Sequence, residues 1–123
     1  MWTFYDFVDE RGRNVIAAWL GPLPKTVAMA LNARLDLLAG LPPGEWKRPY
    51  VDAIGDGIHE LRFLSNRVQY RPLWCFGPKR LEATLLAGAV ERGGRFAPMN
   101  APDVARERST LITEAKYVCL HES

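Results

Sequence analysis

Ile58-His59-Glu60-Leu61-Arg62-Phe63-Leu64, Gln69-Tyr70-Arg71-Pro72-Leu73-Trp74-Cys75-Phe76 and Arg80-Leu81-Glu82-Ala83-Thr84-Leu85-Leu86-Ala87-Gly88-Ala89-Val90 follow one another with short polar turns between them. The first segment is apolar and charged in near alternation, and the whole stretch to Arg92 reads as three consecutive strands. Residues i and i+2 of a strand share a face. Glu60 therefore shares a face with Arg62, and Gln69 with Arg71. In-register pairing of the first hairpin would bring two guanidinium groups together on one side of a sheet, as a phosphate-reading surface. Ser65-Asn66-Arg67 fits the hairpin turn, and Gly77-Pro78-Lys79 fits the next one. Pro72 stands inside the second strand, where a central position would lose a ladder hydrogen bond. That strand must bulge there or lie at an edge.

Working outward, Trp2 to Val8 reads as a first strand and Asp9 to Arg13 as a turn. Asn14 is a suitable N-cap for a short helix over Val15 to Leu20. Gly21-Pro22-Leu23-Pro24 stops it. A second helix is expected over Lys25 to Ala39, with Val27, Leu31, Leu35 and Leu38 forming one apolar stripe. Gly40 and Pro42-Pro43-Gly44 end it. Glu45 to Gly57 is undecided, with Trp46 and Tyr50 anchoring a loop and Asp56-Gly57 turning into the first central strand. Glu91-Arg92-Gly93-Gly94-Arg95 is expected to be irregular because of its paired glycines. A last helix is expected from Val104 to about Leu111. Tyr117 to Leu120 reads as a short closing strand or an extended tail, and His121 falls in that tail without a role.

These elements imply an α+β fold in a single domain over residues 1–123. The expected architecture is an antiparallel sheet of about four strands, with two N-terminal helices packed on one face and a C-terminal helix at the rim. The other face would be left partly open.

With 123 residues, 48% of them hydrophobic, the chain suits one domain with one core. The net charge is only +2, but it is unevenly spread. Residues 1–57 hold six Lys/Arg and seven Asp/Glu, a net of −1, whereas residues 58–108 hold nine and five, a net of +4. The basic excess sits on the expected sheet and favours an anionic partner. Cys75 and Cys119 form no Cys-x-x-Cys pair and are too few for a disulfide scaffold, which points to a reduced, cytoplasmic setting. Asp6, Asp9 and Glu10 interrupt the N-terminus too early for a signal peptide, and no apolar run is long enough to span a membrane. Two histidines and two scattered cysteines give no metal-ligand spacing, so no metal and no cofactor is expected.

The order of motifs resembles the RelE/ParE toxin superfamily of bacterial toxin–antitoxin pairs, and within it the phage-derived HigB-like branch. His59-Glu60-Leu61-Arg62, Tyr70-Arg71 with its following apolar and aromatic residues, and Leu85 to Arg92 leading to Pro98 and a helix carry the likeness. Ala33 to Leu38 on the second helix adds to it, so the likeness covers nearly the whole chain. It implies a ribosome-dependent endoribonuclease that cuts messenger RNA and inhibits translation. It also implies a cognate antitoxin, of helix-turn-helix type, and is compatible with a homodimer. The alternatives within the superfamily are a ParE-like gyrase inhibitor without nuclease activity, or a protein-binding module that kept the fold. By the resemblance, Arg62, Arg71 and Arg92 are the catalytic cations. The sequence departs from the family in Glu91, which stands where a cation is usual, and in Pro72.

Metal-free RNA cleavage must remove a proton from a 2′-oxygen, stabilise charge on the phosphate, and protonate the leaving 5′-oxygen. Arginine suits the second task because its planar fork matches phosphate oxygens and stays charged. Glu60, on the arginine face, is a candidate proton acceptor, and Glu91 is another. His59 has a suitable intrinsic pKa, but alternation points it away from Arg62. Arg67 and Arg95 are candidate RNA contacts. Phe96, beside Arg95, could stack a base or instead plug the loop against the sheet. Tyr70, Trp74 and Phe76 share one strand face and read as core.

Overall fold

The computed structural model describes residues 1–123. In chain order its elements are β1 (Thr3–Phe7), α1 (Val15–Leu20), α2 (Lys25–Ala39), β2 (Val51–Gly55), β3 (Ile58–Leu61), β4 (Phe63–Ser65) and β5 (Val68–Tyr70). There follow β6 (Leu73–Phe76), β7 (Glu82–Ala87), β8 (Val90–Arg92), β9 (Arg95–Ala97), α3 (Ala101–Ser109) and β10 (Val118–Leu120). A six-stranded sheet runs β10-β1-β7-β6-β3-β2, and it is mixed because β1 pairs parallel to β7. A four-stranded antiparallel sheet runs β4-β5-β8-β9.

Two sheets replace the single antiparallel sheet of about four strands that the alternation suggests. Each of the three segments between Ile58 and Arg92 begins in one sheet and finishes in the other. The breaks fall at Arg62, at Arg71-Pro72 and at Gly88-Ala89. Pairing survives the corner: His59 opposes Trp74, the Leu61 N–H donates to the Pro72 carbonyl, and Phe63 opposes Tyr70. Pro72 has no N–H to lose, and its carbonyl still accepts, so the bend suits it. Gly88 is needed for space. A Cβ built there would lie 2.0 Å from the Trp19 ring, so only glycine lets α1 seat against this corner.

The N-terminal helices form where expected. Asn14 caps α1 by accepting from the Ile16 and Ala17 N–H groups. They cover a core face made by both sheets rather than by one four-stranded sheet: α1 rests on β1 and β7, and α2 lies over β4 and, through Leu35 and Leu38, over Trp74 of β6 and Ala83 and Leu85 of β7. Helix α3 is not at a rim but packs on β3, β6 and β7, covering the far side of the larger sheet. The alternation of β7 shows the two layers, with Leu85 in the core under α2 and Leu86 in the core under α3. The α2 stripe Val27, Leu31, Leu35 and Leu38 is fully buried. The smaller sheet turns Phe63 and Tyr70 towards that core and leaves Leu64 and Gln69 open to solvent.

Three further expectations change. Residues 51–55, undecided from sequence, form edge strand β2. The paired glycines make a tight turn between β8 and β9, with φ of +57° at Gly93 and +78° at Gly94, which glycine adopts freely. His121 is not in a loose tail. Its Nδ1 lies 2.7 Å from Asp6 Oδ1 and its Nε2 lies 2.7 Å from Asn32 Oδ1, with the His121 and Asp6 side chains both buried. No helix is long and apolar enough to cross a membrane.

Candidate functional site

The register carried through the corner sets Arg62 directly across the hairpin from Arg71, between the Leu61–Pro72 hydrogen bond and the Phe63–Tyr70 pair. Side chains directly opposite one another lie on one face. Glu60 joins the two guanidiniums. Its Oε1 is 3.2 Å from Arg62 Nη1, and its Oε2 is 3.4 Å from Arg71 Nε. Both distances exceed the ~2.7–2.9 Å usual for a charge-assisted hydrogen bond, so the carboxylate holds the pair loosely.

Arg71 is the more constrained of the two. Its Nη1 donates to the Tyr70 carbonyl at 2.8 Å and its Nη2 to Gln69 Oε1 at 2.9 Å. Its side chain is 7% exposed, whereas that of Arg62 is 25% exposed. Burial, and then the charge of Arg62, hold the Arg71 guanidinium below its ordinary pKa. It stays charged at neutral pH, because arginine starts so high.

Arg48, Arg62 and Arg71 line two adjoining recesses in common. The first, of about 240 Å³, is completed by Glu60, Glu91, Arg95 and Phe96. The second, of about 400 Å³, is completed by Arg34, Phe63, Leu64 and Gln69. Four arginines line each recess, but two carboxylates line the first and none lines the second. The second recess is therefore the stronger attractor for an anion. Arg48 is held by Asp52, whose Oδ2 accepts from Nε at 3.1 Å and from Nη2 at 2.8 Å. Arg34 donates through Nη1 to the Arg62 carbonyl, and its guanidinium lies 5.0 Å from the Tyr50 ring centroid. Burial holds Arg34 below its ordinary pKa.

The sequence candidates divide. Arg62, Arg71 and Glu60 come into contact, and Arg95 and Phe96 line the first recess. Arg92 is exposed and pairs with Arg95 at the end of the β8–β9 hairpin. Arg92 lines neither recess. Arg67 sits exposed in the β4–β5 turn, with φ of +67°, and lines neither recess. His59 is on the opposite side of β3, stacked on Trp74 at 4.6 Å between ring centroids, and burial lowers its pKa.

Arg34 and Arg48 escaped the sequence reading. Arg34 precedes Leu35 of the buried α2 stripe and is the one cation within the body of that helix, which is the signal the sequence carries for it. Arg48 lies in the stretch whose structure periodicity does not decide, and nothing local marked it.

The family model described as Phage derived protein Gp49-like (DUF891) matches residues 18–109, a span that includes every arginine of both recesses. No curated protein and no solved structure matches the chain.

Proposed function

Because the chain belongs to the phage-derived Gp49-like family, which is associated with the toxins of toxin–antitoxin pairs, we propose that it is such a toxin and cleaves messenger RNA on the ribosome. An antitoxin partner follows from the same family context. The observation that carries the nuclease reading is the Arg62–Arg71 pair at the wall common to both recesses, with Arg62 the more exposed partner and Arg34 and Arg48 beside it.

In this reading one phosphodiester lies against Arg62 and Arg71. The 2′-oxygen of the preceding ribose attacks phosphorus, the bond from phosphorus to the 5′-oxygen breaks, and the leaving oxygen takes a proton from solvent water, so that a cyclic phosphate and a 5′-hydroxyl are left. Negative charge grows on the phosphate oxygens as the new bond forms. Guanidinium groups fixed in place stabilise that charge without having to reorganise. Glu60, already touching both arginines, accepts the 2′-proton. The ribosome supplies the alignment of the attacking and leaving oxygens, which removes a large entropic part of the barrier.

Primer extension on messages from cells producing the protein tests this. Discrete cuts within translated codons are expected. Growth arrest with intact messages and damaged DNA would instead favour a gyrase-directed toxin.

A further inference from the structure

We propose that Gln69 and Glu91 read the edge of one unpaired base, and that the base is guanine; this rests on the phosphate role of Arg62 and Arg71. Leu64 opposes Gln69, Gln69 opposes Glu91, and Glu91 opposes Phe96. These four residues form one row across the smaller sheet, and direct partners project from the same face. The row lies two residues along each strand from Arg62 and Arg71, about 7 Å of backbone. Gln69 also touches Arg71 directly, so a phosphate held by the arginines brings its nucleotide's base to this row.

The polar pair in the middle of the row has a defined polarity. Gln69 Oε1 already accepts from Arg71 Nη2 at 2.9 Å, so its amide NH₂ is the part left to donate outward. The Glu91 side chain makes no hydrogen bond or ion pair with the protein, and its carboxylate is an acceptor lining the first recess. A donor thus stands beside an acceptor with two oxygens. Guanine presents the complement, a carbonyl oxygen next to two N–H donors. Adenine, cytosine and uracil each offer a carboxylate fewer donors beside a matching acceptor. Leu64, 58% exposed, and half-buried Phe96 add apolar surface on either side of the pair. Single-stranded RNA is commonly read in this way, through unstacked bases and their Watson–Crick edges.

The test titrates the full chain with inorganic phosphate and with the single-stranded trinucleotides UGU, UAU, UCU and UUU, followed by nuclear magnetic resonance. UGU is expected to bind about tenfold more tightly than the others, the scale of one good bidentate contact to a base. Glu91→Gln is expected to bring the four to within about twofold of each other while leaving phosphate binding in place. Equal affinity of the four for the native protein, or a guanine preference kept by Glu91→Gln, overturns the inference while leaving the phosphate role of the arginines standing. If neither phosphate nor any trinucleotide perturbs Arg62 and Arg71, the phosphate role falls and the inference falls with it.

Discussion

Arg62 faces Arg71 across the bend where one hairpin passes from the six-stranded sheet to the four-stranded one, and the Glu60 carboxylate touches both. Two like charges are held face to face by a single acid and by backbone geometry. With one carboxylate between two guanidiniums, a phosphodiester would bring the local charge to neutrality. That balance is what the following predictions probe.

Arg71→Ala should abolish messenger cleavage, by about a thousandfold or more, since groups that stabilise transition-state charge carry effects of that size. The protein should still fold. The cost in stability should be about 1–3 kcal/mol, from the Tyr70 carbonyl and the Glu60 Oε2 that lose the buried guanidinium. Arg71→Lys keeps the charge but loses the planar fork, so it should restore binding better than cleavage. Cleavage assays beside circular dichroism check this, and retained cleavage in a folded Arg71→Ala protein would remove Arg71 from the site.

Glu60→Gln should separate binding from chemistry. Losing the negative charge should tighten phosphate and RNA binding several-fold, while the missing proton acceptor should cut turnover by about 10²–10⁴-fold. Binding and single-turnover cleavage measured on one preparation distinguish this from a purely structural role, in which the two would weaken together.

Gly88→Ala should be among the most damaging single-methyl changes in the chain, because the new Cβ would meet the Trp19 ring. Overpacking of this kind costs about 1–3 kcal/mol. Thermal denaturation should show a clearly lowered midpoint, and Gly88→Ala combined with Trp19→Leu should recover part of it. An unchanged midpoint in the single variant would mean that α1 does not seat against this corner.

The helices and the first hairpin were legible in the sequence because their signals are local. Asn14 caps α1, the stripe from Val27 to Leu38 buries α2, and alternation around Arg62 and Arg71 gives the right register. What alternation cannot report is a bend. It runs unbroken through Arg62, so one long strand and two short strands in different sheets look alike. Pro72 was the available sign, an anomaly for a straight strand and natural at a corner. Gly93-Gly94 signalled a hairpin rather than an irregular loop, with β8 and β9 paired. Arg34 and Arg48 reach the site from distant parts of the chain, and only tertiary packing brings them there.

Cys75 supplies a prediction on pH. Burial pushes its thiol up to about 12 from an ordinary value near 9. The unfolded chain therefore ionises at Cys75 before the folded one does. Its contribution is complete below about pH 9 and is lost as pH rises towards 12, with a slope of at most about 1.4 kcal/mol per pH unit. Denaturant unfolding followed across that window should show a shallower decline for Cys75→Ala than for the native protein. Identical slopes would contradict the buried, neutral thiol.

The most direct check on the paired arginines watches them together. In a titration with inorganic phosphate, the Nε–H resonances of Arg62 and Arg71 should move in concert with one shared affinity, and Arg62→Ala should weaken the response of Arg71 by at least about tenfold. Independent responses, or phosphate binding that leaves both resonances unmoved, would show that these two guanidiniums do not form one anion site.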